Sequence, residues 1–230
     1  MNILDLLQHG DIEVEGRMPY SSNATFLVKL TLGDQVGQGI YKPLRGERPL
    51  WDFPSGLYQR EVAAYLLSEA MEVHVIPPTV ERDGPFGIGS LQWFIDARFE
   101  EHYFTLYESR EDLHDQFRKM AAFDIVANNT DRKSGHCLID GDDRIWGIDQ
   151  GLCFSAEFKL RTVIWEFGGE VIAPDLIEKI QRVADHPPLE VAALLDADEI
   201  EAMIERAAML AQGGMFPIDA SGHRYPWPMV

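Results

Sequence analysis

The sequence predicts an α+β protein of two segregated lobes, a small β-rich first lobe with one helix and a mainly helical second lobe. Three observations carry this. Short β-branched and apolar runs, punctuated by Gly, Asp and Pro, dominate the first part of the chain. Segments with helical periodicity dominate the second. Strands before helices, rather than alternating with them, make a segregated architecture. The expected division is 1–95 and 96–230, and a 230-residue chain is long enough to bury a sizeable core.

In the first lobe, Ala24 to Leu32 reads as a strand, Gly33-Asp34 as its turn and Gly39 to Pro43 as its partner. A Trp/Pro/Gly loop spans Pro49 to Gly56. Leu57 to Ala70 repeats apolar residues (Val62, Tyr65, Leu66) at helical spacing, with Glu69 toward solvent, and reads as a helix. Two further strands are expected at Val75–Val80 and Gly89–Ile95, around a turn at Arg82-Asp83-Gly84-Pro85. Gly37-Gln38-Gly39 and Gly87-Ile88-Gly89 do not extend to a phosphate-binding glycine motif and read as turns.

In the second lobe, Arg110 to Asn128 reads as one long helix opened by Ser109, with Asp112 in its first turn. A loop follows, then short strands at His136–Asp140 and Arg144–Ile148 around the turn Gly141-Asp142-Asp143. Helices are expected at Ala173–Ala184, Pro188–Leu195 and Ala197–Ala211, and the Pro- and aromatic-rich end at Tyr225-Pro226-Trp227-Pro228 as an irregular tail.

Composition narrows the function. Hydrophobic residues make up 46% and charged residues 25%, the mix of an ordinary globular protein. No apolar run approaches the ~18–20 residues of a membrane span, and no signal peptide is read at the N-terminus. The net charge of −18 repels phosphate backbones and anionic head groups, so nucleic acid and stable membrane association are not expected. Two cysteines outside any CxxC pair favour a reducing cytoplasm. No GxSxG, HExxH or zinc-like Cys/His spacing occurs, which argues against a serine hydrolase or zinc enzyme.

Chemistry concentrates in three places, in order: Lys42 on a strand, Glu61 in the first turn of the next helix, and Asp131-Arg132-Lys133-Ser134-Gly135-His136 followed by Asp149-Gln150-Gly151 at a strand end. Phosphoryl transfer needs such groups. A lysine neutralises phosphate oxygens and a helix acid holds it; one carboxylate orients the attacking hydroxyl and a second holds a hard cation against the phosphates. Each alone has a plain structural reading, as an edge lysine, a helix-surface acid or a turn; the ordered set carries the argument.

On these residues the chain resembles the protein-kinase-like superfamily, in its branch similar to phosphatidylinositol 3-/4-kinases and HipA-type kinases, and within it a compact, largely uncharacterised actinobacterial family. The match runs through Gly16-Arg17, Ser22-Asn23-Ala24-Thr25, Tyr41-Lys42-Pro43, Gly46 to Pro54, Arg60 to Tyr65, Pro77-Pro78-Thr79, Phe123-Asp124, Asn129 to Lys133, Gly147 to Gly151 and Tyr225 to Pro228. The resemblance implies ATP and Mg²⁺ or Mn²⁺ bound between the lobes. Lys42 would contact the α- and β-phosphates and Glu61 would pair with it. Asp131 would face the substrate hydroxyl and Asp149 would be the main metal ligand. Ser21-Ser22-Asn23 would be the turn over the phosphates. Gln92 to Ile95 would be the hinge whose main chain meets adenine, with Trp93 or Phe94 nearby or else part of the strand core.

Two departures matter. Lys133 and His136 stand where lipid-kinase-like members carry His and Asn. Lysine beside the catalytic Asp steadies the γ-phosphate in protein kinases, so Lys133 joins the catalytic set. His136 leaves alternatives open: imidazole holding a softer metal such as Mn²⁺, Asn128 or Asn129 supplying the missing oxygen, a lost second metal site, or a structural loop histidine. Little chain remains after Gly151 for a long activation loop. The expected function is an ATP-dependent phosphotransferase acting on an unidentified soluble small molecule or protein. A pseudokinase or an AMP transferase on the same fold are the alternatives.

Overall fold

The computed structural model describes residues 2–19, 21 and 23–230. It has the expected fold class, a β-rich lobe followed by a mainly helical one, and adds a short helix to the first. The chain begins with α1 (Ile3–His9), then β1 (Asp11–Arg17), β2 (Phe26–Leu32), β3 (Gln35–Pro43), α2 (Leu57–Ala70), β4 (Thr79–Gly84) and β5 (Gly87–Trp93). The strands form an antiparallel sheet in the order β1-β2-β3-β5-β4.

Period-two alternation gives the sheet two different faces. Val28, Leu30, Tyr41, Val80 and Leu91 turn outward and are covered by Leu6 and Leu7 of α1. A seven-residue helix has no stability of its own. It is held by this burial and by Arg82, whose guanidinium donates to the carbonyls of Leu7 and Gly10, both at 2.7 Å. Gln38, Ile40 and Lys42 alternate with that face and point to the opposite side.

Both Gly-x-Gly stretches expected as turns lie inside strands. A Cβ at Gly37 would sit 2.4 Å from the Trp93 ring, and one at Gly89 would sit 2.3 Å from the Lys42 carbonyl. Glycine there permits close packing across the sheet, not chain reversal. The strand expected at Val75–Val80 starts at Thr79, because Pro77 and Pro78 have no N–H to give a ladder. The turn accordingly moves to Pro85-Phe86.

The second lobe comprises α3 (Tyr103–Ser109), α4 (His114–Ala127), a small hairpin of β6 (Cys137–Ile139) and β7 (Ile145–Gly147), then α5 (Pro174–Asp185), α6 (Leu189–Ala192) and α7 (Ala197–Gly213). The single helix expected over Arg110–Asn128 is thus broken. Ser109 ends α3, its Oγ donating back to the Thr105 carbonyl at 2.7 Å, and a 3₁₀ turn at Glu111–Leu113 leads into α4. Asn128 closes α4 in the left-handed region (φ 51°). It donates to the carbonyls of Ser155 and Glu157 and accepts from the Lys159 N–H.

Phe117, Met120 and Phe123 of α4 lie in the main core with Tyr103, Ile145, Phe154 and Met203. The tail from Arg224 has no regular structure but is tied down. The Arg224 carbonyl accepts from Thr162 N–H and Trp165 Nε1–H, and that of Met229 from Ser134 N–H.

In the last turn of α4 an acid enters this core. Asp124 and Arg132 are both fully buried. Arg132 Nη2 lies 2.9 Å from Asp124 Oδ1 and Nε 3.0 Å from Oδ2. The other guanidinium donors reach the Ile148 carbonyl (3.0 Å) and Gln150 Oε1 (3.1 Å). Removing one member strands a charge in the core. Asp124→Ala is therefore expected to destabilise the protein by about 3–5 kcal/mol, measured by urea unfolding. Asp131→Ala, at the edge of solvent, should cost far less.

Candidate functional site

Alternation along β3 sends Lys42 into the cleft beneath the sheet. Its Nζ contacts Glu61 Oε1 and lies 2.8 Å from Asp149 Oδ1. Glu61 is almost fully buried on α2, and its Oε2 accepts from the Gln150 N–H at 3.0 Å. One carboxylate thus fixes both the lysine and the backbone next to Asp149. Asp149 has φ 61°, a left-handed conformation that Asp tolerates better than most residues. Hydrogen bonds hold it on either side, at Ile148 O by Arg132 and at Gln150 N by Glu61.

Both charges are strongly maintained. Burial pulls the Lys42 pKa down, but Asp149 and Glu61 outweigh it and leave it above its ordinary value. Lys42 is also the main reason that the Asp149 carboxyl sits well below the usual carboxylate range; His136 helps, and burial opposes.

Asp131 sits on the loop after α4. Its N–H donates to Asn129 Oδ1 (3.0 Å) and its Oδ2 accepts from Lys133 Nζ (2.8 Å). His136 lies on the turn beyond, with Nδ1 2.9 Å from the Asp131 carbonyl and Nε2 3.8 Å from Asp149 Oδ2. Burial pushes the imidazole pKa below its ordinary value, more than Asp149 raises it. A neutral ring that donates from Nδ1 to the Asp131 carbonyl leaves the Nε2 lone pair facing the Asp149 side.

A cavity of about 460 Å³ brings Lys42, Glu61, Asp131, Lys133, His136 and Asp149 together with Ser21 and Asn23. Ser21 Oγ is 2.8 Å from Thr25 Oγ1, and Asn23 Oδ1 accepts from the Arg48 N–H. Ser22 lies outside the described residues.

The remaining expected site residues are elsewhere. Gln92 is buried, its amide donating to Thr79 Oγ1 at 2.9 Å. The Trp93 ring packs over Gly37, and Trp93 and Phe94 line a separate cavity of about 870 Å³. Their N–H groups are already used, by the Pro78 and Gln38 carbonyls respectively. Asn129 does not present its oxygen to the cleft: it is 1% exposed and engaged with Asp131 N–H, Asp124 and Gln150. Asn128 is committed to loop carbonyls as well, so of the expected metal ligands only His136 and Asp149 line the cleft.

Among the described residues no cluster of three or more His, Cys, Asp or Glu forms a self-sufficient metal cage. A nucleotide site needs none, because phosphate oxygens and water complete the coordination. Cys137 and Cys153 are buried, and burial pushes the Cys137 thiol up to about 12, so neither is poised as a nucleophile.

Several functional residues escape sequence reading. Asp124, Arg132 and Gln150 hold the loops of Asp131 and Asp149 from below; the signal for Asp124 was a charge within the apolar run Phe123-Asp124-Ile125-Val126. Arg48 is exposed, lines the cavity and has no ion pair among the described residues. Glu47 accepts from the N–H groups of Gly56 (2.8 Å) and Tyr58 (2.9 Å), capping α2 from a distance. Arg60 of α2 pairs with Glu199 of α7, anchoring the Glu61 helix to the second lobe.

No protein-family model matches the chain. Protein Rv2133c of Mycobacterium tuberculosis is 37% identical, over 97% of this chain and 94% of its own length. The structure of hydra Fam20 with sugar aligns with a TM-score of 0.58 at 11% identity, covering 91% of this chain and 86% of that one. CtkA, a proinflammatory kinase of Helicobacter pylori, aligns with a TM-score of 0.47 at 10% identity, over 91% and 94%. The fold is kinase-like, and no helix of the described residues is long and apolar enough to cross a membrane.

Glu47→Ala leaves two helix-start donors unpaired and should cost about 0.5–2 kcal/mol. A fall in the midpoint of thermal unfolding checks this.

Proposed function

The chain belongs to the family of Rv2133c, and on that footing we propose that it is an ATP-dependent phosphotransferase that transfers the γ-phosphoryl group to an alcohol. The observation that carries this reading is the ion triad of Lys42 with Glu61 and Asp149, in one cavity with Asp131. A lysine held between two carboxylates, one of them nearly fully buried, costs desolvation. It is well placed to exchange one partner for phosphate. The kinship with the phosphatidylinositol-kinase-like and HipA-like branch belongs to the same reading.

In this mechanism Lys42 contacts the α- and β-phosphates, Arg48 and the Ser21–Asn23 turn meet the outer oxygens, and the backbone near Ile95 meets the base. Asp149 and His136 Nε2 are the residues that would hold the cation, which when bound draws charge from the phosphate oxygens. Imidazole in that pair favours Mn²⁺ over Mg²⁺. The acceptor oxygen forms a bond to the γ-phosphorus. The bond from that phosphorus to the β,γ-bridging oxygen breaks, and its electron pair leaves on ADP. The hydroxyl proton passes to the Asp131 carboxylate, while Lys133 neutralises charge on the transferring group.

A net charge of −18 disfavours nucleic acid and an anionic bilayer, which supports a soluble acceptor, and the two cysteines outside any CxxC pair support a reducing, cytoplasmic setting.

Incubation with γ-labelled and α-labelled ATP in Mg²⁺ or Mn²⁺ tests this. The expected result is turnover of the γ label alone, reduced about 10²–10⁴-fold in Asp131→Ala and lost in Asp149→Ala. Nucleotide binding without turnover in the wild type would favour a pseudokinase, the reading that His136 supports. Retention of the α label would indicate AMP transfer.

A second experiment isolates the metal. His136→Asn replaces imidazole by an oxygen ligand and should shift calorimetric ATP affinity from a preference for Mn²⁺ toward Mg²⁺. An unchanged preference contradicts the ligand role.

A further inference from the structure

A second cavity, of about 330 Å³, opens on Asp131 from another direction. It shares Asp131 and Lys133 with the triphosphate cavity but contains none of Lys42, Glu61 or Asp149. One wall is the loop ahead of α2, through Leu50 and Phe53; the other is the tail, through Tyr225 and Trp227. Both ends of the tail wall are stitched to the second lobe. Thr162 N–H donates to the Arg224 carbonyl (3.1 Å) and Ser134 N–H to that of Met229 (2.8 Å).

Charge in this cavity is almost fully paired. Asp131 has Lys133 at 2.8 Å and Asp52 has Lys159 at 3.9 Å. Arg161 is the exception, an exposed side chain with no ion pair among the described residues. Its backbone is nevertheless fixed to the catalytic loop on both sides, donating to the Asn129 carbonyl (2.9 Å) and accepting from the Arg132 N–H (3.0 Å). The one uncompensated charge is therefore a guanidinium rooted beside Asp131, in a chain of net charge −18. At the same mouth Trp227 is 87% exposed, and Trp51, between the lining residues Leu50 and Asp52, is 94% exposed. Aromatic faces left in water beside a cavity suit the face of a ring.

Resting on the phosphotransferase reading, we propose that this cavity is the acceptor site and that the acceptor is a small ring-bearing alcohol with a phosphate ester. The ring lies against Trp227 and Tyr225, the phosphate meets Arg161 in the bidentate geometry that guanidinium favours, and the free hydroxyl reaches Asp131. The volume lies at the small end of the ~300–1,000 Å³ range of ligand sites. That suits a sugar phosphate or nucleoside monophosphate and is too small for a protein surface.

Calorimetry without ATP tests the site apart from catalysis. Ribose 5-phosphate and uridine 5′-monophosphate are titrated beside ribose and uridine, and the two phosphate esters distinguish a sugar from a nucleotide acceptor. At least one ester should bind about tenfold or more tightly than its neutral counterpart. Arg161→Ala should erase that difference, Arg161→Lys should restore part of it, and Trp227→Ala should weaken ester and neutral counterpart alike. Equal affinity for ester and neutral compound, binding of neither, or an ester preference that survives Arg161→Ala overturns the proposal. So does label transfer to a Ser/Thr peptide but to neither ester. ATP affinity, titrated separately, reports on the triphosphate site, so its loss counts against the phosphotransferase reading and not against this one.

Discussion

The buried pair of Asp124 and Arg132 is the constraint on which the geometry of the candidate site depends. Two fully buried ions are costly to desolvate, and such a pair is weak evidence of stabilisation in itself. Its value here is positional. Arg132 is the neighbour of Asp131 in the chain, and its guanidinium also grips Ile148 O and Gln150 Oε1, on either side of Asp149. One side chain therefore sets the separation of two carboxylates that come from different loops. Asp124, on the rigid helix α4, fixes that side chain and also accepts from Asn129, which in turn holds the Asp131 N–H.

The upper half of the site is built on the same plan, with Glu61 in the part of Arg132. It is nearly inaccessible, binds Lys42 with one oxygen and the Gln150 N–H with the other, and so joins β3, α2 and the strand end after β7. The Arg60–Glu199 pair, next to it on α2, ties that helix to α7. Cleft charges are thus placed by groups that solvent does not reach. The acids of this cavity, Glu47, Glu61, Asp131 and Asp149, outnumber its bases, Lys42, Arg48 and Lys133. That matters for a polyanionic ligand approaching a protein of net charge −18.

Much of this was legible in the sequence where local chemistry and tertiary context agree. The bounds of α2 read directly, because the Gly-containing loop before it and its apolar spacing both act locally. Lys42, Glu61, Asp131 and Asp149 read as a set because of their order along the chain and the types of element that carry them. The failures have physical causes. Helix α1 is too short to register by periodicity and exists only by packing on the sheet. Strand β1, with Glu13 and Glu15 on a largely exposed edge, lacks the alternation of a half-buried strand. Ser109 has the chemistry of a helix start yet bonds backward within α3. Asn129 was one of the alternatives for the oxygen that the family pattern expects at His136; its buried carboxamide oxygen accepts from the Asp131 N–H instead. Gln92, Trp93 and Phe94 were grouped through the resemblance; Gln92 is buried against Thr79, while Trp93 and Phe94 line the other cavity.

The most direct measurement of the central claim is a crystal structure with a non-hydrolysable ATP analogue and Mn²⁺, collected at a wavelength where manganese scatters anomalously. The account predicts an anomalous peak between Asp149 and His136, with the triphosphate alongside Lys42 and Asp131 open to the acceptor side. A triphosphate away from Lys42, or a manganese peak away from Asp149, would contradict it.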